Sequence, residues 1–388
     1  MAYVATRGGE DAIQQAERFF QELRGPITAD FVQQILAHMP LLVDRVMGES
    51  SLYAPELAAL ALAQTGGDLY ESVLLLRAYR STQPRLAYAT TVRAAELLTV
   101  RRISAAFKDI PGGQVLGPTL DYSHRLLDLS ILDNASHDDT RDGNSGDSGM
   151  GDDDTGAVDP AAHPAPRHYP AVADWQRAQG WLGNRQNEPA EAEIPPQEIP
   201  DVTREPLVFP APRAHRLQML ARADTGGALS LAYSSMRGYG LVHPTVNELR
   251  LAYAPVRLRH PVSGVAFSAG RVRVSQAEIV TTGGSSEDPG LEVGFCATLG
   301  WNEVKTIAGS TLDLAMSKAG NHPAHAEEFV LYHTEAVEAS GFCIHFKLPH
   351  YVTFTSSLDN LRGARENATR RMVEGQYVQT LYAGGDAG

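Results

Sequence analysis

Cysteine is scarce in this chain of 388 residues, which contains only Cys296 and Cys343. Two cysteines without a C-x-x-C pair form neither a disulfide framework nor a complete cysteine site for zinc or an iron–sulfur cluster. Long apolar runs are also missing, since no stretch approaches the roughly 18 to 20 residues that a membrane-spanning helix needs. The amino terminus lacks the apolar core of a signal peptide. These absences predict a reduced, cytoplasmic protein without a membrane partner.

Three widespread catalytic signatures are absent as well. The chain has no G-x-S-x-G nucleophile turn, no H-E-x-x-H zinc helix and no G-x-G-x-x-G phosphate loop. Each of these motifs creates its chemistry through a fixed spacing of residues. Their absence therefore argues against the standard hydrolase, zincin and dinucleotide-binding classes.

Basic residues are outnumbered, with 33 lysines and arginines against 46 aspartates and glutamates, and the net charge is −13. Much of this excess is local, because residues 138–159 hold eight aspartates against one arginine. That segment carries −7 within 22 residues and leaves −6 for the rest of the chain. Proteins that bind nucleic acid usually carry a basic patch or stripe. We therefore expect no nucleic-acid partner.

Composition and hydrophobic pattern divide the chain into four parts. They are a helical N-terminal domain (residues 1–133), a mobile acidic and proline-rich linker (134–213), a mixed α/β domain (214–362) and a tail (363–388). The linker holds 11 of the 23 prolines and has too little apolar surface to offset its ordering entropy. Trp175 and Trp181 mark one apolar island in it, which we expect to dock as a short helix on a neighbouring surface.

The order of the predicted elements indicates the fold class. Helical periodicity dominates the N-terminal part, where helix starts are expected at Pro55 and Asp68 and residues 92–107 are expected to form another helix. Helical and β-rich runs are mixed beyond residue 214, and the apolar run 342–354 is expected to be extended. The β-rich runs lie at 249–256, 264–268, 271–281 and 291–298. Helices first and a mixed segment later predict an α+β fold rather than alternating βαβ units.

A glycine-rich loop is the first candidate site. Lys108 and Asp109 precede Gly112 and Gly113, and glycines let backbone amides approach a phosphate group. No G-K-[ST] follows, so the loop is not a Walker A motif. The alternative is a tight turn between two helices, and His124 further along is equally consistent with a surface residue.

A second candidate combines an arginine, an aromatic residue and a histidine. Arg237 stands next to a glycine, followed by Tyr239, Gly240, His243 and Glu248. An arginine can hold an anion, an aromatic ring can stack on a flat ligand, and a carboxylate can assist glycosidic chemistry. The alternative is a glycine turn whose tyrosine packs on the core.

The third candidate is the pair His345 and His350. Zinc prefers neutral imidazole nitrogens, and two histidines five positions apart reach one ion if the chain bends between them. Pro349 excludes an uninterrupted helix, and a straight strand would point the two side chains to opposite faces. Two ligands do not complete a zinc site, so two ordinary histidines are the alternative.

Several blocks of the chain, taken together, carry a family resemblance. They are Leu57-Ala-Ala-Leu-Ala, Leu75-Leu-Arg-Ala-Tyr-Arg80, Arg101-Arg-Ile-Ser, Lys108-Asp-Ile-Pro-Gly-Gly-Gln114, Gly117-Pro-Thr, Asp121-Tyr122, His124-Arg-Leu-Leu-Asp128, Ala232-Tyr-Ser, Arg237-Gly-Tyr-Gly240, His243-Pro244, Glu327-Glu-Phe-Val-Leu331 and Leu348-Pro-His-Tyr-Val352. In this combination and order the chain resembles the PhnI family, whose members are subunits of the bacterial carbon–phosphorus lyase core complex. The resemblance covers residues 1–133 and 205–362, and it does not extend into the Asp-rich linker or the tail.

The resemblance implies a reaction and a set of partners. A phosphonate such as methylphosphonate displaces adenine from the ribose anomeric carbon of ATP and gives α-D-ribose 1-methylphosphonate 5-triphosphate. Alone, such a subunit is expected to act as a purine nucleosidase on ATP or GTP, with a divalent cation accompanying the triphosphate. The implied partners are subunits like PhnG, PhnH and the radical S-adenosylmethionine protein PhnJ, with ABC-type ATPases like PhnK and PhnL beyond them.

The resemblance also implies a metal site. In the family, the H-x-x-x-x-H pair binds zinc at the boundary with PhnJ, and here this pair is His345 and His350, with the partner completing the coordination. The reaction itself requires negative charge near an oxocarbenium-like sugar, a proton or hydrogen bonds for the leaving purine, and cations for the triphosphate. Residue chemistry suggests Asp109 or Glu248 for the sugar, His243 or His124 for the base, Arg102, Lys108 and Arg237 for the phosphates, and Gly112, Gly113 and Tyr239 as further substrate contacts. Two alternatives stay open, a scaffold that only presents zinc ligands and interfaces, and a stand-alone zinc-dependent hydrolase.

Overall fold

The computed structural model describes residues 8–135, 167–182, 195, 198–237, 244–284, 289–348 and 350–383. The chain separates into two compact units, a smaller one made of Met1–Pro26 with Val337–Gly388 and a larger one, Ile27–Ala336. Helices and a four-stranded antiparallel sheet build the described part, which confirms the α+β class. The domain boundaries expected at residues 134, 214 and 363 stay a prediction. Among the described residues, no helix has the length and apolar character that crossing a membrane requires.

The larger unit begins with four helices whose starts follow from the local sequence. They are α2 (Ala29–His38), α3 (Pro40–Ser50), α4 (Pro55–Gln64) and α5 (Leu69–Ser81), preceded in the smaller unit by α1 (Gly9–Arg24). Proline begins α3 and α4, where its missing N–H sacrifices no helical hydrogen bond. Thr28 and Asp68 accept hydrogen bonds from backbone amides of α2 and α5, both at 3.1 Å. The starts predicted at Pro55 and Asp68 are confirmed.

The sheet of the larger unit has the order β1-β2-β3-β4, with antiparallel neighbours. Its strands are β1 (Leu98–Ile103), β2 (Thr245–Arg259), β3 (Ala266–Gly284) and β4 (Pro289–Leu299). The helices between β1 and β2 are α6 (Ser130–Ala135), α7 (Val172–Ala178), α8 (Arg213–Arg222) and α9 (Thr225–Met236), and those after β4 are α10 (Glu303–Met316) and α11 (Glu327–His333). The β-rich runs predicted at 249–256, 271–281 and 291–298 are confirmed, and the run predicted at 264–268 is a strand from residue 266 onward, as the first part of β3.

Helix α10 packs closely on one face of this sheet. A Cβ added to Gly294 of β4 would lie 2.1 Å from the carbonyl oxygen of Ser310, and one added to Gly309 would lie 2.5 Å from the sulfur of Cys296. Only glycine at these two positions permits the observed approach of helix to strand. The main apolar core lies here and includes Met219, Leu220, Ala228, Leu312, Val330 and Leu331.

Residues 167–182 cover the opposite face of the sheet. Their helix α7 carries Trp175, and the rings of Phe107, Trp175 and Trp181 meet at centroid distances of 5.1 to 6.1 Å. Aromatic pairs of this geometry stabilise a contact beyond the area that they bury. The expectation that the tryptophan island docks as a short helix is confirmed. We call residues 167–182 the cover segment.

The run 92–107, expected to be a helix, contains strand β1 instead. Its residues pair with Leu249–Tyr253 of β2, and this long-range pairing overrides the local helical periodicity. Arg101 and Arg102 show the consequence, because both side chains are buried although they are neighbours in sequence. Successive side chains of a strand point to opposite faces, so both can be buried only if each face of the sheet is covered.

The run 342–354, expected to be extended, is helical at residues 342–345 and 351–354. The smaller unit contains α12 (Ala336–His345) and α13 (Tyr351–Ala383), and the chain turns between them. Alternating apolar residues suggested a strand, but Phe342 and Phe346 are one helical turn apart and their rings meet at 5.4 Å. The convergence of His345 and His350 requires a bend between them, and the chain turns at residues 346–347, between the two helices; residue 349 lies outside the described residues.

Candidate functional site

A fully buried ion network lies between the sheet and the cover segment. Glu248 accepts hydrogen bonds from the guanidinium groups of Arg102 (2.5 Å) and Arg250 (2.6 Å), and none of the three side chains is exposed. The Val172 amide donates to the other carboxylate oxygen at 3.3 Å. Both arginines also donate to the carbonyl oxygen of Pro170 at 3.1 Å. Two cations and one carboxylate thus hold the cover segment on the sheet.

Arg102 also holds the glycine-rich loop. It donates to the carbonyl oxygens of Pro111 and Gly113, both at 2.8 Å. Gly112 and Gly113 have φ angles of 83° and 79°, which side chains other than glycine rarely adopt. A Cβ at Gly112 would in addition lie 2.6 Å from the ring of Tyr169. The glycine pair is therefore required by the backbone and by the contact with the cover segment.

Gln114 closes the same loop on itself. Its side-chain oxygen accepts from the Ser104 amide at 3.1 Å, and its nitrogen donates to the carbonyl oxygens of Phe107 (3.3 Å) and Lys108 (3.0 Å). The side chains of Lys108 and Asp109 are exposed. The loop is thus a prearranged element that joins β1 to the following chain and presents one cation and one carboxylate to solvent.

A second buried carboxylate lies beside the network. Glu278 accepts from Asn247 at 2.8 Å, and Asn247 exchanges two hydrogen bonds, of 2.7 and 2.9 Å, with Gln176 of α7. Asn247 sits at an irregularity of the β2–β3 register next to Glu248, and a bulge there redirects a side chain. Burial, and secondly the charge of Glu248, raise the pKa of Glu278 to about 7. A titratable group near neutral pH is therefore enclosed under the cover segment.

The other predicted residues of the larger unit are separate from this network. The side chain of His124 is exposed. Arg237 ends α9, is exposed, and donates to the hydroxyl of Tyr233 at 2.7 Å. Tyr239 and His243 lie outside the described residues. Of the predicted substrate and catalytic residues, the contacts thus join Arg102, Glu248 and the glycine pair, and the roles of all of them stay predictions.

His345 and His350 face each other in the smaller unit. Their ring centroids are 5.5 Å apart with an interplanar angle of 62°. The Nδ1 atom of His345 contacts the Phe342 carbonyl oxygen, and that of His350 contacts the Leu348 carbonyl oxygen at 2.6 Å. A carbonyl only accepts, so Nδ1 is the donor in each contact, and the Nε2 atom of each ring makes neither of these two contacts. This is the arrangement in which metal-binding histidines are commonly held.

The pair thus fits the chemistry of zinc, although it does not form a complete site. No cluster of three or more histidine, cysteine, aspartate or glutamate side chains suited to a metal ion occurs in the described part of the chain. The surface around the pair is strongly apolar and exposed, with Phe342 66%, Phe346 64%, Tyr351 67%, Val352 87% and Phe354 64% accessible. Exposed apolar surface of this extent is typical of a protein interface.

Sequence reasoning missed Arg250, Glu278 and Lys305. Arg250 was recognisable in part, since Glu248 and Arg250 are two positions apart and must share a face of a strand, whereas Glu278 meets them only through the pairing of β2 with β3. Lys305 is fully buried, and burial lowers its pKa to about 8. It occupies the first turn of α10, and its position in the sequence shows no signal that distinguishes it from a solvated lysine.

Comparison with known proteins gives a consistent result. The family model described as bacterial phosphonate metabolism protein (PhnI) matches residues 2–368. The HtxH protein of Stutzerimonas stutzeri is 42% identical, with 96% of this chain and 99% of that protein covered. The alpha-D-ribose 1-methylphosphonate 5-triphosphate synthase subunits PhnI of Rhizobium meliloti and Escherichia coli are 38% and 39% identical, covering 94% and 93% of this chain and 95% and 97% of their own lengths.

These matches place the chain in a class of bacterial phosphonate-metabolism proteins. The chain belongs to the PhnI family, which confirms the resemblance read from the motif blocks. The match spans both compact units and includes the residues of the buried network, the glycine-rich loop and the histidine pair, and it also runs across residues 134–213, into which the resemblance was not expected to extend.

Proposed function

We propose that the chain is a subunit of a carbon–phosphorus lyase core complex and acts in the synthesis of α-D-ribose 1-methylphosphonate 5-triphosphate. A phosphonate oxygen forms a bond to the ribose anomeric carbon of ATP while the bond to the adenine nitrogen breaks. Adenine leaves with a proton, and the triphosphate is retained. In the isolated chain, water takes the place of the phosphonate. The observation that carries this proposal is the family match over residues 2–368 together with relatives named for that synthase.

The proposal assigns two roles, the positioning of the glycine-rich loop and direct contact with the substrate, to two groups of residues. Arg102 and Glu248 are fully buried and bonded to each other, so we assign them the positioning of the glycine-rich loop. Lys108 and Asp109 are exposed on that loop, where a cation binds phosphate oxygens and a carboxylate stabilises a developing positive charge on the sugar. His124, Arg237, Tyr239 and His243 remain the further candidates for contacts with base and phosphates, and a divalent cation enters with the triphosphate.

The release of adenine from ATP by the purified chain tests these two roles. Asp109→Asn removes an exposed carboxylate and should lower the rate of adenine release from ATP without changing the free energy of unfolding. Glu248→Gln should lower both, because it acts through the buried network. Normal adenine release by both variants would contradict the assignment of these residues.

We further assign zinc to His345 and His350, with the third ligand supplied by a partner subunit such as the PhnJ-like protein. Each Nδ1 is engaged with a carbonyl oxygen, which leaves both Nε2 atoms for the metal. When bound, zinc would join the two subunits and polarise a ligand at its open position. The exposed apolar residues around the pair would be covered by the same partner.

Metal analysis of the co-purified complex tests this site. The complex of the wild type should retain zinc, and His345→Ala/His350→Ala should lose it. His38→Ala, in helix α2 of the larger unit, is the control outside the smaller unit and should not change the zinc content. Zinc retained by the double variant, or by the wild-type chain without any partner, would contradict a shared site.

A scaffold without catalytic activity is the second candidate, favoured by the deep burial of Arg102 and Glu248. It predicts no free base when the isolated chain is incubated with ATP or GTP and a divalent ion. A catalytic subunit predicts release under the same conditions, with loss of release in Asp109→Asn. Partners like PhnG, PhnH, PhnK and PhnL assemble around the chain in either case.

A further inference from the structure

Residues 254–273 form a two-stranded ribbon that leaves the sheet. Strand β1 pairs with β2 only as far as Tyr253, and β4 pairs with β3 only from Val274. Beyond these points β2 and β3 pair with each other alone, out to Arg259 opposite Ala266. Residues 259–271 are exposed without interruption. The outer part of the ribbon thus has no neighbouring strand among the described residues.

One face of this ribbon carries four arginines. Opposite residues of antiparallel strands share a face, and so do alternate residues of one strand. Arg273 and Arg271 pair with positions 253 and 255 of β2, and Arg257 and Arg259 follow at two-residue intervals. The register shifts between Val256 and Arg257 because β3 has one extra residue there, whereas β2 continues without an insertion, so all four project from the same side. At about 3.3 Å per residue, positions 253 to 259 span a stripe roughly 20 Å long.

The inner arginines of this stripe are attached to the body of the larger unit. Arg257 forms an ion pair with Glu96, and Arg273 forms one with Asp44 at 2.8 Å. The Arg257 carbonyl oxygen also accepts from the amide of residue 90 at 2.9 Å. These contacts fix the root of the ribbon, so the direction of its outer half is determined by the fold.

The outer arginines have no such counter-charge. The side chain of Arg259 donates only to the Gly264 carbonyl oxygen at 3.5 Å, and the side chain of Arg271 makes no hydrogen bond or ion pair within the described part of the chain. The sequence has no aspartate or glutamate between Glu248 and Glu278. The outer half of the stripe therefore presents two positive charges without an acidic partner, on a chain whose net charge is −13.

We propose that this ribbon docks on an acidic face of another protein subunit in the complex. A complementary acidic face satisfies the outer arginines, and the exposed side chains of Val262 (89%), Val265 (64%) and Phe267 (46%) supply apolar contacts at the tip. Nucleic acid fits less well, because its binding requires cations on many phosphates, whereas only Arg259 and Arg271 lack a counter-charge here and the tip between them is apolar. The inference rests on the proposed assembly but not on the proposed reaction.

Charge reversal at the two outer arginines tests the docking. The full chain, carrying an affinity tag, is co-expressed with the other subunits of its complex, and the yield of each co-purified subunit is measured at low and high ionic strength. Arg259→Glu/Arg271→Glu should reduce the association of one subunit about tenfold at low salt, and less at high salt where charges are screened. Arg259→Lys/Arg271→Lys should keep most of the association.

The matched control reverses two exposed basic residues elsewhere in the same unit. Arg204→Glu/Lys318→Glu changes the net charge equally and should leave the association intact. An unchanged yield for the ribbon variant, or an equal loss in the control, would overturn the proposal. Ribbon-dependent binding of a DNA duplex or of phosphatidylserine vesicles by the wild type, with assembly unaffected, would overturn it as well. Adenine release, measured on the same proteins, tests the proposed reaction separately.

Discussion

Replacing Glu248 by glutamine should destabilise the larger unit through an electrostatic effect. The variant keeps the shape of the side chain but removes the charge that balances Arg102 and Arg250, and neither arginine has exposed surface. Removing one partner of a buried ion pair costs about 3 to 5 kcal/mol. Glu278 would compensate in part, because loss of the negative neighbour that raises its pKa favours its ionised form. We therefore expect a loss near the lower end, about 3 kcal/mol, or roughly a hundredfold in the unfolding equilibrium.

The free energy of unfolding of this variant is measured by urea denaturation, followed by far-ultraviolet circular dichroism at pH 8. Asp109→Asn serves as the control, since its side chain is exposed and its loss should change stability by less than about 0.5 kcal/mol. A loss below about 1 kcal/mol in Glu248→Gln would refute the reasoning from the buried network. Unchanged stability with abolished adenine release would show instead that the carboxylate acts on the substrate.

Three further outcomes follow from buried titratable groups and are measured on the same purified chain. Because the pKa of Glu278 is raised, the native state binds its proton more tightly than the unfolded state does. The free energy of unfolding should therefore fall by about 3 kcal/mol between pH 4.5 and pH 7. In Glu278→Gln, denaturation measured over the same pH range should not show this decrease. The lowered pKa of Lys305, whose ammonium nitrogen has no hydrogen-bond partner in the described part, predicts stability that rises between pH 8 and 10.5. Thermal denaturation of Lys305→Met should show a gain of about 1 to 3 kcal/mol at pH 7 and no such rise, and a loss of stability would contradict the unpaired charge. Burial raises the pKa of Cys296 to about 12 whereas Cys343 is exposed, so a thiol reagent should modify one cysteine in the native chain and the second only after denaturation.

The parts of the fold that were predictable depend on local chemistry. Helix starts at Pro55 and Asp68 follow from a proline in the first turn and from a side chain that accepts a backbone hydrogen bond. The docking of Trp175 and Trp181 was predictable because large aromatic residues in a polar segment have to find an apolar surface. The motif blocks of the glycine-rich loop and of the histidine pair identified the family for the same reason, since their residue order is local.

The parts that were not predictable depend on contacts between distant residues. Arg101 and Arg102 would be expected in solvent, but carboxylates 20 to 202 positions away neutralise them, namely Asp121, Glu248 and Glu303. The same pairing turned an expected helix into strand β1. At the candidate site, the motif blocks named Arg102 and Glu248, but only the register between β1 and β2 shows that they are bonded to each other under the cover segment. Electrostatic pairing across more than a hundred residues has no signal in a local window.

The edge of strand β1 that does not face β2 forms two isolated backbone bridges with other parts of the chain. Arg102 forms an isolated bridge with Val115, and Thr99 forms one with Arg167, so that the chain leaves and rejoins the sheet at points three residues apart on one strand. The chain between these two bridges is therefore a closed loop with a fixed mouth of roughly 10 Å, given about 3.3 Å per strand residue. Doubling the length of such a loop costs only about 0.6 kcal/mol in closure entropy. Added length at this position would therefore cost little free energy of unfolding, and residues 138–159, with their eight aspartates, lie in the sequence between the two bridges.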